Sequence, residues 1–381
     1  MRKYIVSISV GVLIIACGII ALIYYMSLDE RTISMENKDI NAQMFLFEYP
    51  TQYAQVSDNQ FYYLRKKVKG GYILYRDGSE EILSFHLQNE EHLRGFVVCD
   101  SQYYFLLRNK TGTLQLGKIV GPNNDVKILC DVYAKREINS LILHENFLFV
   151  CERDSNKIER QSMQGEIMPP IQFEADSDVE DMSIFGSEEM DGICIMDVDA
   201  SGEIEITVID WQGNRKKSLQ SQMKLYDYGN LQKGRGVAFF QGITKPYIYF
   251  CYYYDKKSFA GRMTLDGKTT EILKLGSREI CDTSFTGEGV YFVSESKKVY
   301  YRKWRGNQSE RLSDLQAESI YAAGEWLYVK KYTREWKMLE DGEEEATDEW
   351  SDELYRINCN DRKIERIAEG DYIVCISSFD L

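Results

Sequence analysis

Histidine is nearly missing from this chain. His86, His92 and His144 are the only three in 381 residues, and no two cysteines are spaced CxxC. Those two shortages leave no zinc cluster of the usual ligand spacing. G-x-S-x-G, H-E-x-x-H and phosphate-cradling glycine loops are absent as well, so the common hydrolase and nucleotide signatures do not apply. Positive charge is short, with 46 basic against 60 acidic residues and a net charge of −14. Such a surface repels nucleic acid and anionic headgroups, and no nucleic-acid partner is expected. Basic proteins, cations and neutral glycans remain open. Apolar residues three and four apart do not recur outside the N-terminal segment, which argues against a helical solenoid.

One stretch lacks charge altogether, residues 4–26, YIVSISVGVLIIACGIIALIYYM. As a helix it would be roughly 34 Å long, enough for a hydrocarbon core of about 30 Å. Arg2 and Lys3 precede it while Asp29 and Glu30 follow. The positive-inside tendency then keeps residues 1–3 in the cytoplasm and exports the rest. A cleaved signal peptide would have a shorter apolar core and small residues at its end. Ile14-Ile15-Ala16-Cys17 resembles a lipobox, but greasy residues continue past Cys17. The expected organisation is a cytoplasmic tip (1–3), a single-pass membrane anchor (4–26), a polar stalk (27–41) and an exported domain (42–381).

That domain repeats one unit. Aromatic-rich apolar strands begin at Phe61, Tyr103, Phe147, Ile193, Tyr247, Val290 and Trp326, in steps of 42, 44, 46, 54, 43 and 36 residues. A period in the forties with only strand-type pattern inside it is the signature of a β-propeller. The fold expected is all-β, a propeller of four-stranded blades, seven in number with eight as the alternative. The turn between third and fourth strands recurs at Asp77-Gly78, Gln164-Gly165, Gln212-Gly213-Asn214, Asp266-Gly267 and Arg305-Gly306-Asn307. Asn360-Asp361 fills that place in blade seven. Residues 374–379 echo residues 280–285, so the C-terminus reads as an inner strand, with Met44 to Tyr49 as candidate partner. Eight cysteines lie outside the anchor, seven of them in or beside apolar strand segments. They read as mostly reduced, buried thiols rather than a disulfide framework. His144 falls in a turn and is expected at the surface.

Tyr-Arg leads towards that turn at Tyr75-Arg76, Tyr301-Arg302 and Tyr355-Arg356. With the Asp-Gly turns, this pattern resembles bacterial exported propellers, similar in turn to the YWTD propellers of lipoprotein receptors. The resemblance spans roughly residues 50–380, although Gly117-Lys118 and Arg160-Gln161 stand where Tyr-Arg would. It implies a binding or scaffolding ring for a protein or a cell-envelope glycan. A propeller hydrolase or lyase acting on extracellular polysaccharide is the alternative.

Two places could carry chemistry. Asp197, Asp199, Ser201 and Glu205 stand at alternate positions around Gly202 between two strands. Calcium takes such converging oxygens, and the ion would be a structural clip. The competing reading is a plain hairpin turn. Residues 333–350, between the second and third strands of blade seven, hold eight acidic residues against Arg334 and Lys337. They read either as a solvated loop or as a partner-docking insert. In the docking case Trp336, Met338, Leu339 and Trp350 would anchor a basic ligand and Glu343, Glu344 and Glu345 attract it. Tyr252-Tyr253-Tyr254 with Trp326 and Tyr328 could suggest a sugar platform, but strand-spaced aromatics more often pack between blades.

Overall fold

The computed structural model describes residues 43–46, 52–57, 60–66, 71–77, 80–87, 92–99, 102–121, 123–136, 138–152, 155–173, 183–198, 203–220, 237–254, 257–276, 280–338, 344–370 and 373–379. The expected anchor (4–26) and stalk (27–41) lie outside the described residues. No helix among those described is long and apolar enough to cross a membrane. Asn41–Leu381 forms one compact unit built of strands.

Two short strands come first, β1 (Gln43–Leu46) and β2 (Gln52–Ser57). Blade one takes β3 (Gln60–Lys66), β4 (Gly71–Arg76) and β5 (Glu80–His86). Blade two is β6 (His92–Cys99), β7 (Gln102–Arg108), β8 (Leu114–Val120) and β9 (Asp125–Asp131). Blade three is β10 (Ile138–His144), β11 (Phe147–Glu152), β12 (Lys157–Ser162) and β13 (Ile167–Gln172). Blade four is β14 (Ser183–Ser187), β15 (Gly192–Val198), β16 (Ile204–Ile209) and β17 (Arg215–Gln220). Blade five is β18 (Val237–Thr244), β19 (Tyr247–Tyr254), β20 (Lys257–Thr264) and β21 (Thr270–Gly276). Blade six is β22 (Ile280–Phe285), β23 (Gly289–Ser294), β24 (Val299–Lys303) and β25 (Glu310–Ser313). Blade seven is β26 (Ser319–Ala323), β27 (Trp326–Met338), β28 (Glu344–Asn358) and β29 (Ile364–Gly370), and β30 (Ile373–Phe379) ends the chain. The blade count is seven.

All seven repeat starts named from the sequence fall in the second strand of a blade. The reason is burial. Second strands are sandwiched between neighbouring strands and neighbouring blades, so apolar branched and aromatic residues run through them without a polar break. Third-to-fourth-strand turns take positive φ at Asp77 (48°), Gly213 (104°) and Gly267 (73°), the conformation that Asp and Gly tolerate.

Both ends of the chain close the ring in blade one. β30 pairs antiparallel with β3 from Tyr62↔Ile376 to Arg65↔Ile373. β2 runs parallel beside β30 and also pairs with the start of β3. The partner expected from Met44 to Tyr49 is therefore Gln52–Ser57 instead. β2 lies only two residues before β3, so closing that hairpin costs little loop entropy. β1 goes elsewhere, pairing with β10 of blade three from Gln43↔Leu143 to Leu46↔Ser140.

Apolar clusters sit between neighbouring blades. One joins Phe185, Met196 and Ile206 of blade four to Phe250, Phe259 and Met263 of blade five. Another joins blade one to blade seven, where the Phe61 ring stacks on Tyr328 at 3.9 Å between centroids. Each such side chain contributes roughly 1.5–3 kcal/mol by leaving water. The last blade thus packs on the first.

The Tyr-Arg pattern has a structural job. Arg356 lies 4.2 Å over the Trp326 ring, binds Glu365 through Nε at 2.8 Å, and donates to the Asp77 carbonyl of blade one. Arg262 repeats this between Tyr247 and Trp304, with Glu271 as partner and the Gly287 carbonyl of blade six as acceptor. Gln161 does it in blade three without charge, donating to the Asp131 carbonyl and accepting from the Tyr133 N–H. These side chains tie blade to blade.

Candidate functional site

The two places singled out by sequence open on one face, because both connect second to third strands. In the first, β15 and β16 pair as far as Asp197↔Glu205 and Val198↔Ile204. Asp199 and Ser201 lie outside the described residues. Asp197 Oδ1 accepts the Val198 N–H at 2.6 Å, and Glu205 stands 3.7 Å from Arg215. Each of these two carboxylates therefore already has a partner. No group of three or more histidine, cysteine or carboxylate side chains suited to a metal occurs among the described residues.

The second place corrects the loop reading. β27 and β28 do not stop at the blade. Their ladder continues from Lys331↔Glu353 through Arg334↔Trp350, then from Trp336↔Ala346 to Met338↔Glu344. Residues 333–350 are thus mostly a two-stranded ribbon, with a register shift between Arg334 and Trp336. Glu344 and Glu345 sit on β28 opposite Met338 and Lys337, while Glu343 lies outside the described residues. The sequence hid this because glutamate and aspartate are poor strand formers. The missed signal is alternation of the cationic and acidic partners, Lys331 against Glu353 and Lys337 against Glu345. At the root of the ribbon, Lys330 and Asp352 form a buried ion pair at 3.3 Å.

At the axle, the inner strands of blades three to seven are joined by side chains. Ser140 Oγ donates to the Ile184 carbonyl at 3.2 Å, and the Phe240 N–H donates to Ser183 Oγ at 3.1 Å. Thr283 Oγ1 donates to Gln241 Oε1 at 3.3 Å. Asp282 and Ser284 accept the Ile320 and Ala322 N–H groups of the next blade, both at 2.8 Å. Asp282 also accepts the Thr283 N–H. Burial pushes its carboxyl up to about 7, with those two donors pulling the other way. Inside this ring of inner strands lie β1, against β10, and β2, against β30. β1 also neighbours β6 and β14, and β2 neighbours β6 and β26. The chain's own N-terminal strands occupy the axle.

The histidines stand on three different blades. His144 is buried, not exposed as its turn position suggested. Its ring stacks on Trp211 at 3.8 Å and its Nδ1 stands 2.7 Å from Glu188 Oε1. Trp211 lies 67 residues further on, in a turn of blade four, so only the blade interface brings them together. Tyr252 and Tyr328 are buried in inter-blade clusters and form no sugar platform. Five cysteines, Cys130, Cys151, Cys194, Cys251 and Cys359, are free thiols, the first four buried. Burial pushes the thiols of Cys151 and Cys251 up to about 12.

No known protein family matches the chain, and no curated protein matches it in sequence. Among solved structures it is similar to the β-propeller domain of Cps50 (Swd1) from Myceliophteria thermophila, at 11% identity and a TM-score of 0.48, over 76% of this chain and 95% of that one. BamB from Moraxella catarrhalis is similar at 11% identity and a TM-score of 0.44, over 88% of this chain and 91% of that one. AztD from Citrobacter koseri gives 11% identity and a TM-score of 0.45, over 89% of this chain and 98% of that one. The strand pairing, not these likenesses, establishes the seven-bladed ring.

Proposed function

We propose that the chain is a membrane-anchored propeller, exported beyond its apolar segment, that binds a protein partner and catalyses no reaction. The observation that carries this is the filled axle. Propeller chemistry is commonly built around the central channel, and here β1 and β2 lie within it. Ser140, Ser183, Asp282 and Ser284 on the inner strands hold neighbouring blades together. Binding is left to the faces, and among the described residues the ribbon of blade seven, with strands of 13 and 15 residues, extends furthest beyond the length of a blade strand. The anchor would be residues 4–26, with Arg2 and Lys3 inside.

Two measurements test the reading. Protease treatment of intact cells should remove the propeller domain from an immunoblot; a domain that survives until the cells are lysed overturns the location. Incubating the purified full chain with envelope polysaccharides should release no new reducing or unsaturated ends. Release of either would make it a hydrolase or a lyase.

A further inference from the structure

Beyond the blade, neither edge of the ribbon has a described strand beside it. Within blade seven β29 covers β28 only as far as Asp352↔Gly370, and β26 covers β27 only as far as Ser319↔Lys330. From Ser351 back to Glu344, β28 pairs with β27 and with no other described strand. Backbone N–H and C=O groups on that side are a template for a further strand.

Charge decides what could fill it. Between residues 344 and 351 the sequence is Glu-Glu-Ala-Thr-Asp-Glu-Trp-Ser, four acids and no base. The cationic residues of the ribbon, Lys331, Arg334 and Lys337, belong to β27. They therefore lie across the ladder from the open β28 edge, where Lys331 and Lys337 oppose Glu353 and Glu345. A second copy paired β28 to β28 would bring four acids against four, and like charges directly opposite destabilise a strand pair. The acids that keep two copies apart are the ones a cationic strand would neutralise.

Resting on the binding reading above, we propose that the β28 edge takes an extended, lysine- or arginine-rich segment of a partner protein as an added strand. Main-chain bonds would supply affinity and alternate side chains specificity. The segment would continue the line of β29 outward from Gly370. Opposite charges facing across it would favour the pairing.

The test uses the full chain in detergent and three labelled decapeptides, read by fluorescence anisotropy. One alternates lysine and valine, one alternates glutamate and valine, and one is the lysine peptide with alternate amides N-methylated. The lysine peptide should bind, with affinity falling as salt rises, and the glutamate peptide should not. N-methylation should weaken binding at least tenfold, because it removes the main-chain donors. Equal binding of the methylated peptide, or none by the lysine peptide, overturns strand addition. Glu344→Lys with Glu345→Lys should also weaken binding at least tenfold. A second variant, with residues 335–349 replaced by Asn-Gly, keeps β26 and β29 paired and should abolish it. Peptide binding and polysaccharide cleavage are read separately, so failure of one reading is distinguishable from failure of the other.

Discussion

At the residue scale, glycine and aspartate show how tightly the blades are built. Gly261 lies opposite Phe250 across β19 and β20, and a Cβ on it would stand 2.0 Å from the Phe250 ring. Gly117 meets Phe105 in the same way at 2.1 Å, which is why Gly-Lys replaces Tyr-Arg in blade two. Gly261→Ala should therefore lower stability by about 1–3 kcal/mol through overpacking, read as a lower urea midpoint with an unchanged slope. Asp282 makes a pH prediction. Its carboxyl is raised to about 7 from an ordinary value near 3.8. The fold therefore holds a proton that the unfolded chain releases. That contribution is fully present below about pH 4 and is lost as pH rises through 7, by at most about 4 kcal/mol. Asp282→Asn cannot titrate, so the stability of wild type minus variant should fall between pH 4 and 8. A difference that stays flat over that range would contradict the burial of this carboxyl.

At the element scale, β30 and the hairpin of blade four make separate predictions. β30 supplies the inner partner of β3 from Tyr62 to Arg65. Deleting residues 371–381 exposes that edge and should lower the melting temperature by several degrees, since about 1 kcal/mol moves a domain this large by roughly 2–4 °C. It should also promote association through the bared edge, which light scattering would detect. Asp197 and Glu205 are already engaged with Val198 and Arg215. Millimolar calcium should accordingly leave the melting temperature where chelator leaves it; a rise would show that ligands from this hairpin converge on the ion. Second strands and third-to-fourth-strand turns were legible because burial writes Phe, Tyr, Ile and Val into the former and backbone geometry writes Asp and Gly into the latter. Less legible were elements whose partners are remote in sequence. β1 chooses β10 across almost a hundred residues, and the ribbon is written in charges rather than in apolar residues. Arg262 was hidden behind Gly261, where the pattern of Tyr-Arg is broken.

At the scale of the molecule, closure changes how the fold should come apart. An open array of repeats can fray from its ends, because each unit touches only its neighbours. Here blade one is built from both termini and shares the cluster of Phe61, Tyr63, Tyr321 and Tyr328 with blade seven. Arg356 adds a bond to the Asp77 carbonyl across the same seam. With no free end blade, loss of any interface exposes two apolar faces at once, so unfolding should be cooperative. Tryptophan fluorescence, which reports Trp211 in blade four, Trp304 in blade six and three more in blade seven, should share one urea midpoint with far-ultraviolet circular dichroism, which reports all blades. The chain lacking residues 371–381 should lose that coincidence, because its first blade can open before the others. Separate midpoints in the intact chain would mean that the seam between blades one and seven does not hold the ring.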